Sequence, residues 1–266
     1  MFSKSLLKTK LKATAVHLSL SVVVFAYLAY KIYYDWYPQP FFEIDGGWQG
    51  IRLVGAVDLV LGPLITFLIF DLRKSRKAIL FDLLTILVIQ LGALAYGVYA
   101  TYSQRPVAVV LIDEFVVSAI EENYGGKLAS AEDLYRYSDE RPPIIYAEFP
   151  LDRAGIDEVT RIKLEEKVLE VAQLHLYRPF EELVAMIQRF QPRMQALLDR
   201  AEAREAYETW LRENGKAASE VYVLRFAGRY GAAWLVFDLG GRKIGYFRGP
   251  ELAPPEEPDE AAGGQE

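Results

Sequence analysis

The residues best placed to do chemistry lie inside an apolar run, in the string Gly55-Ala56-Val57-Asp58-Leu59-Val60-Leu61-Gly62-Pro63. Gly55, Asp58 and Gly62 are spaced three and four apart, so on a helix they share one face, which Thr66 continues. A carboxylate within a membrane helix costs about 2.5 to 3.5 kcal/mol on insertion scales, so it faces protein or water rather than lipid. Two chemistries are open to it: recognition of a partner's polar or charged group within the membrane, and proton relay. The plainer role, fixing helix register while snorkelling outward, is favoured, because one Asp with one distant His makes a poor relay and three spans make a poor transporter. Pro63 cannot donate to the Leu59 carbonyl, which predicts a kink just inside Asp58.

By depth along antiparallel helices, Asp58 falls level with Gln90 in a later apolar run, where Gln90, Ala93, Gly97 and Thr101 also share a face. The small, polar faces are expected to pack together, with Asp58 and Gln90 within hydrogen-bonding reach. His17 falls level with Thr66 and is expected to pack against that helix.

Searches for catalytic signatures find no Walker loop, nucleophile elbow, zinc spacing or kinase motif. His175, between Leu174 and Leu176, reads as a structural helix-end residue. Glu165, Glu166, Glu181 and Glu182, close to Lys163, Lys167 and Arg178, read as solvated faces. An enzyme built on Asp58 with Glu43 and Asp45 has no spacing that supports a particular reaction. No catalytic residue, cofactor or metal site is assigned.

The elements that position these residues are three apolar runs, Ala13 to Tyr30, Leu53 to Phe70 and Leu83 to Gln104. As helices they span roughly 27 to 33 Å, against a bilayer core of about 30 Å. Transmembrane helices are therefore expected over about 13–34, 52–71 and 80–102. The overall composition, 52% hydrophobic and 25% charged, averages this half with an ordinary soluble half. A net charge of -6 without a basic stripe argues against a nucleic-acid partner, and the absence of cysteine excludes disulfides and thiolate metal sites.

Lys4, Lys8, Lys10 and Lys12 before the first run, and Arg73, Lys74, Arg76 and Lys77 between the second and third, place both segments on the cytoplasmic side. A cleaved signal peptide is rejected because the bulky series Tyr27, Tyr30, Tyr33, Tyr34 and Trp36 follows the run where small residues are needed. Everything after Arg105 is then expected outside. Trp36, Tyr37, Phe41, Phe42 and Trp48, broken by Pro38 and Pro40, read as an interfacial aromatic loop on the outer membrane face, with a ligand-binding patch as the alternative.

Beyond Arg105, strand patterns occur at Pro106 to Asp113, Phe115 to Ser118, Ile144 to Phe149, Val221 to Phe226, Ala233 to Phe237 and Lys243 to Phe247. The last three suggest an antiparallel meander. Helical patterns cover Asp157 to His175, Phe180 to Phe190 and Pro192 to Glu213, with Met194, Leu197, Leu198, Ala201, Tyr207 and Leu211 as the apolar set of the last. The fold class is a membrane protein: three N-terminal transmembrane α-helices, then an α+β extracytoplasmic domain with a small antiparallel sheet. The boundaries are 1–104 for the membrane domain, 105–251 for the outer domain, and 252–266 for a disordered acidic tail.

These motifs in order, namely His17-Leu18, Trp36-Tyr37-Pro38-Gln39-Pro40-Phe41-Phe42, Asp58-Leu59-Val60-Leu61-Gly62-Pro63, Gln90-Leu91-Gly92-Ala93-Leu94-Ala95-Tyr96-Gly97 and Arg105-Pro106, resemble the TfpX/TfpZ family of type IV pilin accessory proteins. The resemblance covers residues 13 to about 118. It implies a bacterial multi-pass inner-membrane protein with a periplasmic C-terminal domain. The implied role is a non-enzymatic, chaperone-like helper of pilin stability or pilus assembly. The partners implied are a cognate type IV pilin, membrane lipid and other pilus assembly components. Gly55, Asp58, Gly62, Pro63, Gln90 and Gly97 become the candidate partner-binding or helix-packing residues. The alternative function is a membrane-anchored periplasmic sensor or ligand-binding protein.

Overall fold

The computed structural model describes residues 4–250 apart from Leu72, Glu114 and Ala201. The acidic segment 252–266, and Ala201 of the helical pattern, lie outside the described residues. The remainder falls into two compact units: residues up to Leu183 together with Ala227–Gly231, and Val184–Phe226 together with the residues from Ala232.

The first unit begins with three helices long and apolar enough to cross a bilayer, over Leu6–Trp36, Gly47–Ile69 and Arg76–Ser103. Helix α1 (Lys4–Tyr30) widens into a π-helical end at Lys31–Trp36. After a short helix α2 (Phe41–Ile44), the second long helix is assembled from α3 (Gly47–Gly55), a π-helical stretch Ala56–Leu61, and α4 (Gly62–Ile69). Helix α5 (Arg76–Ser103) starts at Ser75, whose side chain accepts from the Ala78 N–H and so satisfies one of the open amides of the first turn. The helices overrun the apolar runs because Lys and Arg are good helix formers, so their boundaries follow caps rather than charges.

The expected kink at Pro63 takes the form of the wide π-helical stretch. The Gly62 N–H reaches the Val57 carbonyl five residues back, and Pro63 follows at the first turn of α4, where its missing N–H costs little.

The same unit holds β1 (Ala108–Ile112), β2 (Phe115–Ala119) and β3 (Ile144–Ala147). Strand β1 lies between the other two, antiparallel to β2 and parallel to β3. The expected purely antiparallel sheet is therefore corrected to a mixed one. The physical reason is the long connection 120–143, which carries the chain back past β1 before β3 begins, as a parallel pairing requires. Every residue of β1 and β3 is buried, the unbroken apolar pattern of strands covered on both faces. Asp113, at φ 52, opens the tight turn into β2.

Around these strands, Tyr124 and Tyr177 are buried with their hydroxyls 2.8 Å apart, and the Tyr177 hydroxyl donates to the Val171 carbonyl at 2.7 Å. Burial pushes the Tyr124 phenol up to about 12. The helical pattern expected through His175 is shorter: α6 (Arg153–Arg161) widens over Ile162–Glu166 and stops at Lys167, which takes the left-handed conformation at φ 56. His175 then sits exposed in a short 3-10 turn. The surface charges pair with partners other than the expected ones: Glu165 and Glu166 take Arg161, Lys163 takes Glu170, and Arg178 turns to Glu148.

In the second unit, α7 (Phe180–Arg200, within this unit from Val184) runs through Pro192, and α8 (Arg204–Glu213) follows, where the sequence suggested a break at Gln191. Gln191 Nε2 donates to the Ile187 carbonyl, in the turn that a proline opens, and to the Val223 carbonyl at 3.1 Å. Its Oε1 accepts from the Val223 N–H at 2.9 Å. Val223 belongs to β4 (Val221–Gly228), beside which lie β5 (Gly231–Asp238) and β6 (Lys243–Phe247), the last two antiparallel. Trp210 of α8 closes over Gly245, where an added Cβ meets the indole at 2.7 Å. Gln191→Leu strips both backbone groups of a fully buried residue of their partner, at a cost of about 1 to 3 kcal/mol. Hydrogen exchange on the full chain is expected to show the Val223 amide losing protection, with β1 unaffected.

Candidate functional site

One face of α1 and its π-helical end carries Lys10, Thr14, His17, Ser21, Phe25, Leu28 and Ile32, each three or four residues from the next. Its first part is a polar seam. Lys10 is 6% exposed, and its ammonium donates to the Phe67 and Leu68 carbonyls at 2.9 and 2.8 Å, satisfying orphan acceptors at the end of α4. His17 Nδ1 lies 2.6 Å from Thr66 Oγ1. Ser21 Oγ donates to Asp58 Oδ1 at 3.0 Å, and Gln90 Nε2 donates to the same oxygen at 3.0 Å. Asp58 is 3% exposed, and its Oδ2 has no partner among the described residues.

The small residues are where these contacts need them. A Cβ on Gly62 falls 2.3 Å from Gln90 Oε1, and one on Gly55 falls 3.1 Å from the Phe25 ring. Thr101 donates back to the Gly97 carbonyl at 2.8 Å, and Gly97 faces Leu53 and Val54. Pro63 is buried beside Gly62. The structure thus brings Gly55, Asp58, Gly62 and Gln90 together, and fills that face with side chains of α1 and α5. The hydroxyl, amide and carboxylate groups hold three apolar helices in one register, since any slip leaves a buried polar group without its partner.

At the other end of these helices the aromatic loop is divided. Tyr37, Phe41 and Phe42 are buried, Trp36 is half-buried, and Trp48 is exposed with Arg52 over its ring. The Tyr37 hydroxyl donates to the Thr101 carbonyl at 2.9 Å, and burial pushes the phenol up to about 12 against the lowering influence of Arg229. Gly47 is irreplaceable by size: a Cβ there falls 2.8 Å from the Phe42 Cα.

Asp45, fully buried, receives Arg229 from the β4–β5 turn that packs in this unit. Arg229 donates from its amide and Nε to Asp45 Oδ1 at 3.2 and 3.3 Å, and from Nη2 to the Asp45 carbonyl at 2.8 Å. It also donates to Gln104, through Nη1 to Oε1 at 2.7 Å and through Nη2 to the carbonyl. The Tyr230 N–H donates to the Ile44 carbonyl. Burial pushes the Asp45 carboxyl up, and Arg229 opposes that shift. A cavity of about 170 Å³ lies beside this clamp, lined in part by Gln49, Thr101 and Arg229. Sequence reasoning recorded Asp45 only as a loop acid and passed over Arg229 as a hairpin-turn residue, because the two are 184 positions apart. No local pattern could have joined them.

Among the described residues no group of His, Asp and Glu is placed to hold a metal ion. What the geometry defines is a protein of three long apolar helices sewn by a polar seam, joined by a clamped loop to a region built on a mixed sheet. A family model described as "Fimbrial assembly protein FimB" matches residues 5–46. The chain is 40% identical over 99 residues to the fimbrial assembly protein of serogroups C1 and C2 of Dichelobacter nodosus, a match covering 37% of this chain and 76% of the relative. The same identity over the same length relates it to the proteins of serogroups I and E1 of that organism, of which only 38% is covered. The chain belongs to the fimbrial assembly protein family. No solved structure matches it.

Proposed function

We propose that this chain is a non-enzymatic, chaperone-like accessory protein of the bacterial inner membrane that assists type IV pilin stability or pilus assembly, in the manner of the TfpX/TfpZ proteins it resembles. The observation that carries the reading is the 40% identity to a fimbrial assembly protein across 76% of that relative's length. In this reading α1, α3–α4 and α5 cross the membrane. The basic ends of α1 and of the 71–79 turn lie in the cytoplasm, and residues 105–251 lie in the periplasm. Support comes from the three apolar helices and from the grouping of both basic segments at one end of them, where Lys10 meets the last carbonyls of α4.

The partner in this reading is a cognate pilin, alone or with other assembly components. Gly55, Asp58, Gly62, Pro63, Gln90 and Gly97 set the register of the anchor, and Trp36 and Trp48 sit at the outer interface. A helper anchored beside its client meets it at high effective concentration, so neither membrane nor outer contact has to be tight. Deleting the gene in a piliated strain is expected to remove surface pili by electron microscopy and to lower pilin on immunoblots, with both restored by the wild-type copy. Pili of normal number and length in the deletion strain overturn the reading.

A further inference from the structure

Helices α1 and α5 both pack on α4, and between them a groove of about 520 Å³ is left open at the basic end. Its walls include Val16, Leu20, Phe70 and Leu87, and Thr9 and Lys12 stand among its lining residues towards the start of α1. We propose that this groove is a binding site for an anionic phospholipid, with one acyl chain between α1 and α5 and the phosphate at Lys12.

On α1 the lining runs from Thr9 to Leu20, about 16 Å of helix, along which an extended acyl chain can lie.

The polar groups on the groove lead to the same occupant. His17, Thr66 and Gln90 line it, but His17 and Thr66 are bonded to each other, and the Gln90 amide donates to Asp58 and Val57. The floor makes little demand for a polar guest.

Charge fixes the headgroup. Lys8, Lys12, Arg76 and Lys77 are exposed at the ends of α1 and α5, and none of the four is in an ion pair among the described residues. Their neighbours are spent: Arg73 pairs with Asp71, Lys74 with Asp82, and Lys10 caps α4. Each basic side chain near an anionic surface is worth about a fivefold preference. The basic ends of the helices and an open apolar groove therefore select a negatively charged lipid.

The site rests on insertion of the three helices, which belongs to the function proposed above, and the two are tested separately. The full chain is reconstituted into vesicles of phosphatidylcholine and phosphatidylglycerol at a 3:1 ratio, checked by flotation, and its retained lipids are counted by native mass spectrometry. The retained ratio of phosphatidylglycerol to phosphatidylcholine is expected to be about fivefold above the bulk ratio of 1:3, roughly 5:3. Lys12→Ala is expected to bring retention near the bulk ratio, and Val16→Phe, which fills the slot with an apolar ring on the lipid side of α1, to abolish tight lipid retention. Failure to float overturns insertion itself. A floating chain that retains lipids in the bulk ratio, or a Val16→Phe chain that retains them as the wild type does, overturns the lipid site alone. A benzophenone side chain at Leu87 that captures a protein in cells, and no lipid, also overturns it.

Discussion

Replacing Arg229 by alanine is expected to lower stability by about 3 kcal/mol, the low end of the range for breaking a buried ion pair, because the Arg229 side chain is itself about one-third exposed. The loss comes less from a missing attraction than from what remains: Asp45 is fully buried, and without the Arg229 side chain its carboxylate has no opposing charge and only the Ser118 side chain and the backbone amide at position 229 to favour it. Gln104 loses its donor at the end of α5 as well. The pH dependence carries the signature. Asp45's folded value stands above its ordinary one near 3.8, so the folded state holds the proton more tightly than the unfolded chain. Asp45 therefore weakens the fold as pH rises through the interval between those values. Removing Arg229 widens that interval. The Arg229→Ala deficit is thus expected to shrink on acidification, as the stranded carboxylate takes up a proton. A double-mutant cycle in detergent with Asp45→Asn is expected to give a coupling of about 1 to 3 kcal/mol. Additive losses show that the two side chains do not depend on each other.

The difference between what could and could not be read from the chain follows the range of the signals. Asp58 and Gln90 were paired in advance because both lie on helices, where 1.5 Å per residue turns position into depth and a three-or-four spacing fixes a face. His17 and Thr66 yielded to the same counting. The strands were visible in Val and Ile alternation, but the parallel pairing of β3 with β1 was not, since strand propensity says nothing of partner or direction. The pattern breaks at Gln191 because local rules price the hydrogen bond that Pro192 cannot give, whereas the helix runs on through it, with the Gln191 side chain bonding the Ile187 carbonyl and both backbone groups of Val223. Lys167, carrying no Gly or Pro warning, ends its helix with a positive φ. The aromatic loop is legible in its composition, yet the inward turn of Tyr37 depends on the Thr101 carbonyl 64 positions away, which no short window contains, and that of Phe42 on Gly47 permitting close approach.

Asp58 separates the two roles that a carboxylate in an apolar helix can have. Asp58→Asn retains an oxygen that accepts from Ser21 and Gln90, and it removes a charge whose insertion costs about 2.5 to 3.5 kcal/mol. If the side chain serves only to hold α1, α4 and α5 in register, the Asn chain is expected at wild-type abundance or above in membranes, with normal piliation. Asp58→Leu removes the acceptor and crowds Gln90 against Gly62, where space is already closed. Hydrogen bonds between membrane helices average about 0.6 kcal/mol and reach about 1.7, so losing two costs about 1 to 3 kcal/mol. Gln90→Leu is expected to resemble it, since it removes the other side of the same bond. Membrane abundance of both Leu chains is therefore expected to fall severalfold, and piliation to fall with it. The decisive comparison is the Asn chain. Normal abundance combined with lost pili assigns a role in assembly to the negative charge itself, beyond the bonds it accepts from Ser21 and Gln90.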